Sequence, residues 1–179
     1  EAPKITPIDS KGFMAVSLED FHHFQENLNK YNGMVDGVKS STQEIPDSIP
    51  PPGIAENTQN VDSLEDTLQE EIQTRQVFES REEELLAGAQ EIALVYHSKG
   101  NVLAIRPEEI LGAQHRFDKG ENSEVFHGLP IFEYQPEQAF EDILSPLFRI
   151  EKMQAYTILD HFFLFSGSRS SLEDFIIAY

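Results

Sequence analysis

The chain has no cysteine and no tryptophan, and its 13 Lys and Arg face 32 Asp and Glu, a net charge of −19. Each shortage excludes something. Without cysteine there are no disulfides, no thiolate metal sites and no thiol nucleophile. A cysteine-free chain also suits export, where mispaired thiols are a hazard. The scarcity of cations argues against a nucleic-acid partner, because like charges repel and no basic patch is present to release counterions from a phosphate backbone. An anionic membrane surface is disfavoured on the same ground. No run of about 20 apolar residues occurs, so no transmembrane segment is expected.

What the chain does have is apolar bulk, with 13 Phe among 179 residues. That is enough for one domain with a real core. It also has a repeated pentapeptide. Ser17-Leu18-Glu19-Asp20-Phe21 follows the apolar run Phe13-Met14-Ala15-Val16, and Ser171-Leu172-Glu173-Asp174-Phe175 follows Phe162-Phe163-Leu164-Phe165. A partial copy, Ser63-Leu64-Glu65-Asp66, lacks a strand before it. In the two full copies the serine reads as an N-cap, the acids suit the positive end of a helix dipole, and Leu and Phe share a face. The pattern predicts two equivalent strand-then-capped-helix units, from an internal duplication, with both helices on one face of one sheet. Two ordinary helix starts that happen to coincide are the plainer alternative.

Ala2-Pro3-Lys4-Ile5-Thr6-Pro7 reads as an extended leader. The first residue is Glu rather than Met, which suggests a removed signal peptide or an arbitrary boundary. A helix is expected from Ser17 to about Tyr31, ended by Asn32-Gly33. Residues 40–60 carry Pro46, Pro50, Pro51, Pro52 and Gly53 and read as a long loop. A helix from Asp62 or Ser63 follows, then a second from Glu82-Glu83-Glu84 to Gly88. Glu91–His97 and Val102–Arg106 form a hairpin about Ser98-Lys99-Gly100-Asn101. A short helix from Pro107 through Leu111 and a turn-rich stretch from Phe117 to Ser123 come next. Strands at 124–127 and 130–134 follow, then a helix opened by Pro136 and stopped by Pro146. A last hairpin, 153–159 with 162–166, leads to the final helix. The order predicts an α+β fold, an antiparallel sheet of hairpins with helices packed mainly on one face, in a single domain over 1–179.

Residues that might carry chemistry are few in kind. Histidines stand at 22, 23, 97, 115, 127 and 161. His22 and His23 are helix neighbours about 100° apart, so they do not share a metal from one face. His115 and His127 flank a turn-rich stretch and, with nearby acids, are the candidate ligands of a metal-dependent hydrolase. No His-x-x-x-His or HExxH occurs to support that. Unrelated surface or half-buried imidazoles are the simpler reading of all six. Glu82-Glu83-Glu84 lacks the Asp, Asn and Gly spacing of a Ca²⁺ loop. Ser166-Gly167-Ser168-Arg169-Ser170 before a helix invites an anion but has no Gly-Lys-Ser/Thr ending. Ile45–Gly53 offers a polyproline II segment to an adaptor-type partner. No catalytic, cofactor or metal residue is assigned on these signals, and no cofactor is expected.

The stretch Ala155-Tyr156-Thr157-Ile158-Leu159-Asp160-His161-Phe162-Phe163-Leu164-Phe165-Ser166, followed by Ser171-Leu172-Glu173-Asp174-Phe175, loosely resembles uncharacterised bacterial cell-envelope proteins, often lipoproteins. In them strand and capped-helix units of this kind recur. The likeness covers about the first thirty and last ninety residues and is structural in character. It implies an exported or lipid-anchored α+β region at the start of a longer chain, and it carries no functional residues over. The resulting expectation is a non-enzymatic envelope module for binding or assembly, with a protein partner. The hydrolase and the proline-rich adaptor are the alternatives, and a cytoplasmic location is the alternative to export.

Overall fold

In a computed structural model the described residues are 2–40, 78, 80–117 and 122–179, with only the backbone of 35–40. The strands are β1 (Gly12–Ser17), β2 (Ala89–His97), β3 (Gly100–Pro107), β4 (Ser123–Phe126), β5 (Leu129–Glu133), β6 (Ala155–Leu159) and β7 (Phe162–Ser166). The helices are α1 (Ala2–Ile5), α2 (Phe21–Ser40), α3 (Arg81–Ala87), α4 (Ile110–Phe117), α5 (Phe140–Leu144) and α6 (Arg169–Ala178). The strands make one seven-stranded sheet in the order β1-β2-β3-β7-β6-β5-β4. Every neighbouring pair is antiparallel. The α+β class and the hairpin sheet are therefore as the sequence predicts.

The sheet is two meanders joined along one seam. β1, β2 and β3 form the first and β4 to β7 the second, and β3 pairs with β7 between Val102↔Ser166 and Ile105↔Phe163. Central strands covered on both faces are apolar at successive positions. β7 is the clearest case, since Phe162 to Ser166 are all buried. Successive side chains alternate between faces. Ile92, Leu94, Leu103, Ile105, Phe163 and Phe165 point to one side, beneath α2, α3, α4 and α5. Ala93, Val95, Val102, Ala104 and Leu164 point to the other, beneath α1 and α6. Four of the six described helices thus share a face.

The first face is dense in aromatics. Phe117 lies within 5.9 Å, centroid to centroid, of Tyr134, Tyr156, Phe163 and Phe165. Three of these pairs are edge-to-face and the Tyr134 pair is stacked, and such pairs add about 0.5–1.5 kcal/mol each beyond area burial. This draws Phe117 into the last turn of α4, where a turn-rich stretch was expected. The helix foreseen from Pro107 accordingly runs later, from Ile110.

The two pentapeptides are not equivalent. Phe21 packs in the α2–α5 face and Phe175 in the opposite face. The duplication reading fails on this point, because its helices had to share a face. Neither serine caps a helix. Ser17 is the last residue of β1, and Asp20 accepts the amides of His22 and His23 at the start of α2. At the other copy Ser168 is the N-cap, accepting from the Ser171 amide at 3.2 Å. Ser171 lies inside α6, where its hydroxyl donates to the Lys99 carbonyl at 2.8 Å.

Three further expectations change. Ala2–Ile5 is one helical turn rather than an extended leader; Ala2 and Ile5 are buried, and the Ala2 amide donates to Glu91 at 2.9 Å. α2 continues through Asn32-Gly33 to Ser40. No helix starts at Pro136; α5 begins at Phe140, after Ala139. The helix foreseen from Asp62 or Ser63 and the loop at 40–60 lie outside the described residues apart from Ser40.

Candidate functional site

The most conspicuous buried polar group is the pair Arg81–Glu82 at the start of α3. Glu82 is fully buried and Arg81 is 7% exposed. Glu82 accepts the Tyr134 hydroxyl at 2.7 Å, the Arg81 Nε at 3.2 Å and the amides of Glu137 and Gln138 at 3.3 Å each. Those two amides follow Pro136 and are the donors a helix opening there would have left without partners. Glu82 accepts both, which ties this irregular segment to α3. Arg81 donates to the Gln135 carbonyl at 2.7 Å and lies 4.8 Å above the Phe117 ring. Four donors on one carboxylate make a structural anchor. The acidic triplet therefore splits, with Glu82 holding the fold and Glu84 pairing with Arg116 at 3.0 Å.

The candidate histidines are scattered. His115 is exposed on α4, and His127 is exposed in the turn between β4 and β5, beside Phe126. Among the described residues no group of three or more His, Asp or Glu is placed to hold a metal ion. His22 and His23 start α2 on the protein surface. His161 sits at the second position of the Asp160–His161 turn, both with positive φ, 45° and 68°. His97 is buried at the end of β2, its ring edge-on to Phe175 and its Nε2 3.5 Å from Asp9.

The serine-rich turn before α6 opens into a cleft of about 800 Å³ whose walls include Phe132, Tyr134, Lys152 and Arg169. The helix end is closed by its own cap. Arg169 is held by Glu173 at 2.7 Å and by Glu124. The bond to Glu173, with Glu124 adding attraction, raises the Arg169 pKa further above its ordinary value. The remaining hydroxyls are used within the fold: Ser166 donates to the Asn101 carbonyl at 3.0 Å, and Ser171 to that of Lys99. The proline-rich segment Ile45–Gly53 lies outside the described residues.

The sheet's own edges differ sharply. β4 is only four residues long and carries the charged Glu124 clasped by Arg169. Short, charged edge strands resist further pairing. β1 is six residues, Gly-Phe-Met-Ala-Val-Ser, with neither charge nor proline. Among the described residues no strand lies beyond it. The Leu18 amide donates to the Gln90 carbonyl at 2.8 Å. With that pair bonded, alternation makes Val16, Met14 and Gly12 the other residues bonded to β2. The amides and carbonyls of Phe13, Ala15 and Ser17 then face outward. Their side chains share a face with Val95 and Ala93 and are exposed, Phe13 at 43%. Met14 and Val16 turn inward and pack against the α2–α5 core. The edge is thus held firmly from within and, among the described residues, pairs with no strand on its outer side. The sequence does not mark this edge, because a strand's composition does not say which neighbour it lacks. No family model matches this chain, and no match is found among curated proteins or solved structures.

Proposed function

We propose that this chain is a non-enzymatic, exported module of the cell envelope that acts by binding or assembly, and that β1 is where it engages a protein. One observation carries the reading: a six-residue, uncharged, proline-free strand with an exposed Phe13 and, among the described residues, no strand on its outer edge. An unpaired row of amides and carbonyls is a template for an added strand, in which main-chain bonds give affinity and side chains give selectivity. The envelope location draws its support from the resemblance described above and from the cysteine-free composition.

The test is site-specific photocrosslinking. A photoreactive residue at position 15, in the full-length protein in its own cell, is expected to give a discrete protein adduct in the envelope fraction. The same residue at exposed Glu108 serves as control. No adduct from position 15 overturns the role of β1, and recovery of the protein in the cytosol overturns the location.

A further inference from the structure

We infer that the partner of β1 is the β1 strand of a second copy of this chain, antiparallel across a two-fold axis at Ala15. The inference rests on β1 being an interaction edge and says what fills it. A two-fold interface must be self-complementary, since each residue i that meets j requires j to meet i. In an antiparallel pairing centred on Ala15, Phe13 stands opposite the partner's Ser17, and Ala15 opposite its counterpart. All three outward-facing residues then exchange main-chain bonds. Sliding the register by two residues in either direction leaves one of the three without its partner. On the other side of the ribbon, Met14 meets the partner's Val16, both uncharged.

Charge selects the same register. Lys11 and Glu19 flank β1, and both are exposed. The axis at Ala15 brings the end of β1 that follows Lys11 beside the end of the partner's β1 that leads to Glu19, so the opposite charges lie near each other, twice by symmetry. Most surfaces of a chain with net charge −19 repel their own copies. β1 with its two flanks is a stretch where self-association meets neutral side chains at the centre and opposite charges at the ends. The product is one continuous antiparallel sheet with the faces of both copies in line.

The chain's lack of cysteine makes the register directly readable. Bonded antiparallel partners have Cα atoms about 5.5 Å apart, within disulfide reach. Ala15→Cys is therefore expected to oxidise to a covalent dimer. Ser17→Cys alone is not, but mixed with Phe13→Cys it is. By sedimentation equilibrium the unmodified chain is expected to be dimeric. Ala15→Pro removes only an outward amide, and should give a folded monomer with unchanged circular dichroism. If that variant misfolds, Ala15→Glu, which sets like charges on the axis, serves instead. Lys11→Glu should weaken the dimer roughly tenfold, and adding Glu19→Lys should restore it. A chain that stays monomeric, or a dimer indifferent to both Ala15 variants, overturns the inference. A monomer that still crosslinks from position 15 to a protein of another mass removes self-pairing and leaves the interaction edge standing. A monomer with no crosslink removes both.

Discussion

Gly100 is fixed by its neighbour across the molecule. Its φ is +148°, and a Cβ there would lie 2.6 Å from the Ser171 hydroxyl and 3.2 Å from the Ser171 Cβ. The β2–β3 turn thus touches the first turns of α6 with no room for a methyl group, and Lys99 adds an ion pair to Asp174 at 2.9 Å. Gly100→Ala is expected to destabilise by about 1 kcal/mol or more, since both space and backbone oppose it. Ser171→Ala should recover part of that loss in the double variant, and denaturant titration of the four-member cycle measures the coupling. The caps make a second comparison. Ser168→Ala should cost about 0.5–2 kcal/mol, whereas Ser17→Ala, at the exposed end of a strand, should stay within about 0.5 kcal/mol. Equal costs would contradict the assignment of Ser168 as the cap. Ser17 and Ser171 begin the same pentapeptide, and the cap falls on neither but on Ser168, which the pentapeptide does not contain. Which hydroxyl meets an orphan amide depends on where the preceding strand ends, and β1 runs through Ser17 while β7 stops five residues before Ser171.

Strands and helices differ in how legible they are in this chain. β2, β3, β6 and β7 are continuous apolar runs broken by turn residues, so their existence and hairpin pairing follow from sequence alone. Helix ends depend on distant partners. α2 continues past Asn32, whose side chain donates to the Ser145 carbonyl at 3.3 Å. The amides at 137 and 138 are claimed by Glu82, and α5 starts late. α3 is clamped to that same segment by Arg81 and Glu82. Glu82→Ala should therefore cost about 3–5 kcal/mol, because it removes a buried carboxylate that four donors share. Replacing Arg81 and Glu82 together by apolar residues should cost less than Glu82→Ala alone. Thermal unfolding of the two variants gives the ranking, and the reverse order would show that Arg81 is satisfied by its carbonyl and ring contacts. The open edge of β1 was legible only in part: its uncharged composition is written in the sequence, its missing neighbour is not.

At the scale of the whole molecule, the β3–β7 seam decides whether two meanders behave as one domain. Phe163 and Phe165 reach the shared aromatic face from β7, and Leu164 reaches the opposite one. Phe165→Ala should cost about 3–5 kcal/mol. Amide exchange in β2 and in β6 should then accelerate together, because each meander borrows its core from the other. Faster exchange confined to β4–β6 would show that the first meander stands by itself.

The seam also sets an order in time. β3 is synthesised well before β7, so during translation the first meander, among the described strands, has two unpaired edges, β1 and, until β7 arrives, β3. Ile105 waits for Phe163, and long-range pairings of this kind form slowly. Until β7 emerges, any strand that can zip onto β3 competes with the native one, including strands of neighbouring nascent chains. The β3 edge is thus exposed to mispairing only before β7 arrives, at a place that the finished molecule no longer shows.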